Sequence, residues 1–110
     1  MLLKDIARAL ELKTAFAPDE LDAEVTGAYI SDMLSDVIAH AQPGQVWITL
    51  QVHPNVVAVA TLKELAAIVT VSDRQPEAET LHKARQEGIP ILVSSLPGFE
   101  LAGRLHRLLA

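Results

Sequence analysis

The chain has 110 residues, half of them hydrophobic, with a mean hydropathy of +0.27 and a net charge of −5. That length holds one domain with a single core. The acidic balance, without a basic cluster interleaved with aromatics, excludes a phosphate-tracking nucleic-acid surface. The lack of cysteine excludes a disulfide framework, thiol catalysis and zinc–thiolate sites.

Charges at Lys4, Asp5, Arg8, Glu11 and Lys13 interrupt the N-terminal stretch, so it has no signal-peptide core. No segment approaches the ~20 apolar residues needed to span a bilayer, and a cytoplasmic protein without a membrane partner is expected. Hydropathy this high in a small chain predicts a sheet covered on both faces and further apolar surface buried in an oligomer, in the simplest case a homodimer.

Leu2, Leu3, Ile6, Ala9, Leu10 and Leu12 are spaced for a helix with one buried face. Ala17-Pro18-Asp19-Glu20 breaks it. Leu21 to Glu24 is polar and has no clear assignment. Val25 to Tyr29 reads as a first strand weakened by Gly27. Ser31 reads as the N-cap of the next helix, with Asp32 in its first turn. Met33, Leu34, Val37, Ile38 and Ala41 form that helix's apolar stripe, and Pro43-Gly44 ends it.

The middle of the chain carries the strongest pattern. Val46 to Leu50 and Ala67 to Val71 are short, nearly continuous apolar runs, as in strands buried on both faces. Roughly three turns of helix lie between them, entered at Pro54, which suits a first helical turn. A crossover of that length makes the two strands parallel. A polar turn, Ser72 to Pro76, leads to a helix over Glu77 to Glu87 that stops at Gly88. Ile89 to Ser94 reads as the fourth strand. Pro97-Gly98 opens a last helix carrying Phe99, Leu101, Ala102, Leu105, Leu108 and Leu109. The expected fold is a single α/β domain over residues 1–110. It is a three-layer sandwich with a mostly parallel four-stranded sheet and helices on both faces.

Ligands of open parallel sheets bind outside the carboxyl ends of the strands. Those ends gather Ser31, Asp32, Gln51, His53, Asn55, Ser72, Asp73, Arg74, Ser94 and Ser95. Helix N-termini on the same rim favour anions, which makes a small anionic ligand the binding expectation. Loops and caps are polar in any such fold, so the rim alone does not prove a site.

Sharper motifs are few. Gly98 and Gly103 have the spacing of a phosphate loop, but Arg104 and Leu105 stand where it needs Lys and Ser/Thr. Asp32 and Asp36 are four apart on the expected helix and could offer two oxygens to a hard cation, although a cap and a solvated turn explain them as well. No metal or cofactor is expected. His53 is the best single candidate for acid–base work or anion contact, yet no hydroxyl–base–acid arrangement surrounds it. His40, His82 and His106 fall at exposed helical positions without partner spacing. Asp73-Arg74 reads as a turn with a solvated ion pair, and Trp47 as core.

The pattern V-T-G-x-Y-x-S-D-x-L-S-D-V over Val25 to Val37, then Pro43-Gly44, Trp47-Ile48-Thr49 and Gly88-Ile89-Pro90-Ile91-Leu92, resembles the DRTGG domain family, in particular its short stand-alone members. The resemblance runs from about Leu2 to about Leu105. It implies an α/β fold similar to the N-terminal domain of HPr kinase/phosphorylase. It also implies a dimerisation or sensing role of the kind such domains have beside CBS domains in some pyrophosphatases and beside phosphotransacetylase domains. Ser31 and Asp32 match the family pattern. The Asp-Arg and Thr-Gly-Gly that name the family are replaced here by Val52-His53-Pro54-Asn55 and Val71-Ser72-Asp73, so ligand contacts made by those groups do not carry over.

Three functions follow in order of support. The first is a non-catalytic regulatory module, dimeric, sensing a small anionic ligand at the carboxyl rim. The second is an accessory protein of a redox or signalling complex, acting only through contacts with a partner protein. The third is a small enzyme or kinase-like protein using His53 and Asp32.

Overall fold

The computed structural model describes all 110 residues, Met1–Ala110. The elements are α1 (Leu3–Ala9), β1 (Lys13–Phe16), β2 (Gly27–Ile30), α2 (Leu34–His40), β3 (Gln45–Thr49), α3 (Asn55–Leu62), β4 (Ala67–Thr70), α4 (Ala78–Glu87), β5 (Ile91–Val93) and α5 (Gly98–Leu109). One sheet runs in the order β1-β5-β4-β3-β2. β2 to β5 are parallel, and β1 joins β5 antiparallel.

The four-stranded expectation is therefore corrected to a five-stranded mixed sheet. The added strand is β1, in a stretch whose apolar spacing continues the helix before it. α1 stops at Ala9 rather than Leu12 because Glu11 takes a left-handed backbone, φ 53°. The chain turns there and enters the sheet edge at Lys13. β1 is short, begins with a charge and shifts register between Thr14 and Phe16, all features that protect a sheet edge.

Strand alternation builds the two cores. In β3, Trp47 faces one side while Val46 and Ile48 face the other, and all three are buried. Ile68 of β4 and Ile91 of β5 join Trp47, packed by Val37 of α2, Val56, Val57 and Ala60 of α3, and Ala84 of α4. Val69 and Leu92 join Val46 and Ile48, packed by Leu3 and Ile6 of α1 and by Leu101 and Leu105 of α5. Burial on both faces is why these strands read as continuous apolar runs. Each of α2, α3 and α4 links neighbouring parallel strands and lies on one face; α5 then crosses to the other. Gly44 makes the turn before β3 at φ 81°, where a Cβ would come 2.9 Å from Thr26 Cγ2 and Oγ1; only glycine fits there without strain. No helix is long and apolar enough to cross a membrane.

Candidate functional site

α4 and α5 leave β4 and β5 toward opposite faces, so the topological switch lies between those two strands. That crevice is closed. The Ser72 N–H donates to the Leu96 carbonyl and the Asp73 N–H to the Ser94 carbonyl, both at 2.9 Å. Ser72 and Asp73 take successive left-handed conformations, φ 54° and 59°, to make that turn. The open part of the rim lies beside it. A pocket of about 180 Å3 sits over the ends of β2, β3 and β4, beneath the start of α5. Its walls are Ile30, Ser31, Asp32, Ile48, Thr49, Leu50, Val71, Ser72 and Gly98.

Asp32 organises this pocket. Its Oδ1 accepts from the Thr49 hydroxyl at 2.9 Å and from the Leu50 N–H at 2.7 Å. Its carbonyl accepts from Gln51 Nε2 at 2.9 Å. The β2–α2 loop is thereby fastened to the end of β3. This corrects the expected cap. Helix α2 begins three residues after Ser31, at Leu34, and Met33 holds its N-cap position without a side-chain bond. Ser31 Oγ instead accepts the Met33 N–H at 3.2 Å within the loop. The Ser31 carbonyl accepts Trp47 Nε1–H at 2.8 Å, which satisfies the only polar atom of a completely buried indole side chain.

Of the rim residues read from the sequence, the pocket brings together Ser31, Asp32 and Ser72. Gln51 lies behind Asp32. His53 is outside, and its Nδ1 accepts the Asn55 N–H at 3.1 Å ahead of α3; an accepting Nδ1 puts the neutral ring's proton on Nε2. Asn55 is exposed at the first position of α3. Asp73 lies with its carboxylate 3.9 Å from Lys13 Nζ, both exposed, rather than paired with Arg74. Ser94 is buried, donates its N–H to the Thr70 carbonyl and accepts the Leu96 N–H on Oγ. The sequence reading missed Thr49, Leu50 and Gly98. Thr49 ends a strand with its hydroxyl buried, so its role shows only once Asp32 is seen to accept it.

Asp32 and Asp36 do not share a face for a cation. Asp36 Oδ2 accepts the Tyr29 hydroxyl at 2.8 Å, and Oδ1 lies 3.0 Å from His40 Nδ1. This corrects the expectation for His40, which follows Asp36 by the four residues that pair side chains on a helix and has it as a partner. The Tyr29 hydrogen bond holds the Asp36 carboxyl below the usual carboxylate range, and the same bond pushes the Tyr29 phenol up. The lowered Asp36 contributes stability above its ordinary pKa, which is lost as pH falls through the lowered folded value. The raised Tyr29 contributes below the ordinary phenol value, 10.0, and that contribution is lost as pH rises through its own folded value. Tyr29 is the sole tyrosine, so absorbance titration reads it directly. Its midpoint is expected above the ordinary value and is expected to return toward it in Asp36→Ala. An identical midpoint in the two proteins would show that the pair has no effect in solution.

A solved structure shares the fold. The chain is similar to the crystal structure of the CBS and DRTGG domains of the regulatory region of Clostridium perfringens pyrophosphatase, complexed with the activator diadenosine tetraphosphate. The TM-score is 0.73 at 14% sequence identity, over 94% of this chain and 45% of that one. The chain therefore spans less than half the length of that structure. At this identity the likeness is one of fold, and it supports the DRTGG-like architecture read from the sequence. No protein-family model and no curated protein matches the sequence.

Proposed function

We propose that the chain is a non-catalytic, cytoplasmic regulatory module, a homodimer, that senses a small anionic, nucleotide-like ligand at the carboxyl ends of β2, β3 and β4. The observation that carries this reading is the rim pocket of about 180 Å3 built around Asp32. It is smaller than the ~300 Å3 at which drug-sized sites begin, so it suits one base of a nucleotide rather than the whole molecule. Asp32 Oδ1 is used by Thr49 and Leu50, which leaves Oδ2 without a protein donor. A carboxylate repels a bare phosphate. The fitting ligand therefore brings hydroxyl or amine donors to Asp32 and apolar ring surface to Ile30, Leu50 and Val71. Its charge then lies toward the first N–H groups of α5, which have no partner inside the helix. The fold neighbour, a regulatory region in complex with a dinucleotide activator, supports the same ligand class. The non-catalytic reading is supported by the company the serines keep: Ser31 Oγ accepts a backbone N–H, and His53 stands outside the pocket.

A thermal-shift series tests this with adenosine, adenosine mono- and triphosphate, diadenosine tetraphosphate and inorganic phosphate. A ligand at ~100 times its dissociation constant stabilises the fold by about 2.7 kcal/mol. A shift is expected with the nucleotides and none with phosphate alone. The shift is expected to vanish in Gly98→Leu. A Cβ at Gly98 meets only ordinary contacts, 3.5 Å to Ile30 Cδ1 and 3.9 Å to Val71 Cγ2, so the new side chain occupies the pocket rather than displacing its walls. If no compound moves the transition, the sensing role is wrong and a purely protein-contact role takes its place.

A further inference from the structure

We infer that the open edge of β2, with the groove between β2 and α5, is the contact surface for a second copy of this chain, and that Phe99 of each copy seats in the groove of the other. This rests on the dimeric reading above and adds the surface.

The two sheet edges differ. β1 carries a charge and a register shift, whereas β2 is Gly27-Ala28-Tyr29-Ile30, without a charge, a proline or a bulge. Such an edge invites pairing. The Ser31 N–H donates to the Ile48 carbonyl. By strand alternation the N–H and C=O groups of Ala28 and Ile30 then face away from β3. A twofold axis at Tyr29 places Ala28 of one copy opposite Ile30 of the other, an antiparallel pair that exchanges both hydrogen bonds.

The same axis satisfies the helices. α5 lies over β2 and β3. With strands ~4.8 Å apart, two such helices across a β2–β2 pair come about 10 Å apart, a helix-packing distance. Phe99, Ala102, His106 and Leu109 share one stripe of α5, and the last three line the groove of about 350 Å3 beside β2. Phe99 is 90% exposed. Antiparallel α5 helices crossing at Ala102 and Gly103 put Phe99 of one copy against His106 and Leu109 of the other. Gly103 is at the centre of the crossing, and a Cβ there meets nothing within 4 Å in the single chain. Ile30, 53% exposed in the single chain, is covered by the same contact.

The test is molar mass by light scattering for the full chain, Phe99→Asp and Gly103→Glu, with circular dichroism for folding. Wild type is expected at twice the 11.9 kDa of one chain, and both variants at half the wild-type mass with unchanged spectra. Gly103→Glu keeps the test independent of folding, because its site is open and it replaces a poor helix former. If wild type is dimeric and both variants remain so, this surface is wrong while the dimeric reading stands. A monomeric wild type overturns both.

Discussion

Trp47→Ala is expected to lower unfolding free energy by roughly 3–5 kcal/mol, the range for removing a buried large aromatic. Domains of this size have only about 5–15 kcal/mol in total, so the variant should be close to unfolded. Trp47 is fully buried in the middle of the sheet, under α2, α3 and α4, and its Nε1–H is bonded to the Ser31 carbonyl. The substitution opens a cavity and also releases the loop that carries Ser31 and Asp32. Trp47→Phe separates the two effects. It keeps most of the packing and leaves the carbonyl unpaired, with an expected loss of about 1–3 kcal/mol. Urea unfolding checks both. A loss under about 1 kcal/mol for Trp47→Ala would mean that this face of the sheet is not the tightly packed core described above.

Asp32→Ala is the second large effect, expected at about 2–3 kcal/mol. Two hydrogen bonds to Oδ1 disappear, and one donor, the Thr49 hydroxyl, belongs to a residue only 1% exposed and loses its acceptor. Orphaning a buried donor costs about 1–3 kcal/mol. Asp32→Asn retains an oxygen at the same place, so most of the stability should return. The same variant removes the charge that a donor-bearing ligand would meet. It should therefore fold nearly as well as wild type while binding nucleotide more weakly. If Asn and Ala lose equal stability, the clamp depends on the charge and not on the acceptor geometry.

The architecture was legible where burial imposes a long pattern. β3, α3 and β4 appear as read, with the two strands parallel, because two buried faces force a continuous apolar run and a crossover of helix length; that they are also neighbours is seen only in the structure. β1 was not legible. Its four residues follow α1 directly, Leu10 and Leu12 extend the helical spacing past the point where Glu11 turns the chain, and its burial is partial. A left-handed glutamate leaves no mark in the sequence.

The rim was legible as a region but not as a site. Ser31, Asp32 and Ser72 do meet, since polar residues after parallel strands must gather at one end of the sheet. Which way each side chain turns depends on tertiary partners. Asp32 reads as a helix residue until Thr49 and Leu50 are seen to claim it. Ser94 sits beside the same rim, but its hydroxyl is taken by Leu96. His53, attractive as a lone histidine at a strand end, is spent on the Asn55 N–H. The open β2 edge could not be read at all, because periodicity does not say which strand ends a sheet.

The measurement that tests the central claim most directly is amide chemical-shift mapping while diadenosine tetraphosphate is added to the labelled protein. The account predicts shifts confined to the rim pocket, at Ser31, Asp32, Leu50, Ser72 and Gly98, with the β1 edge and α4 unmoved. No shifts at saturating nucleotide, or shifts centred anywhere else on the fold, would contradict it.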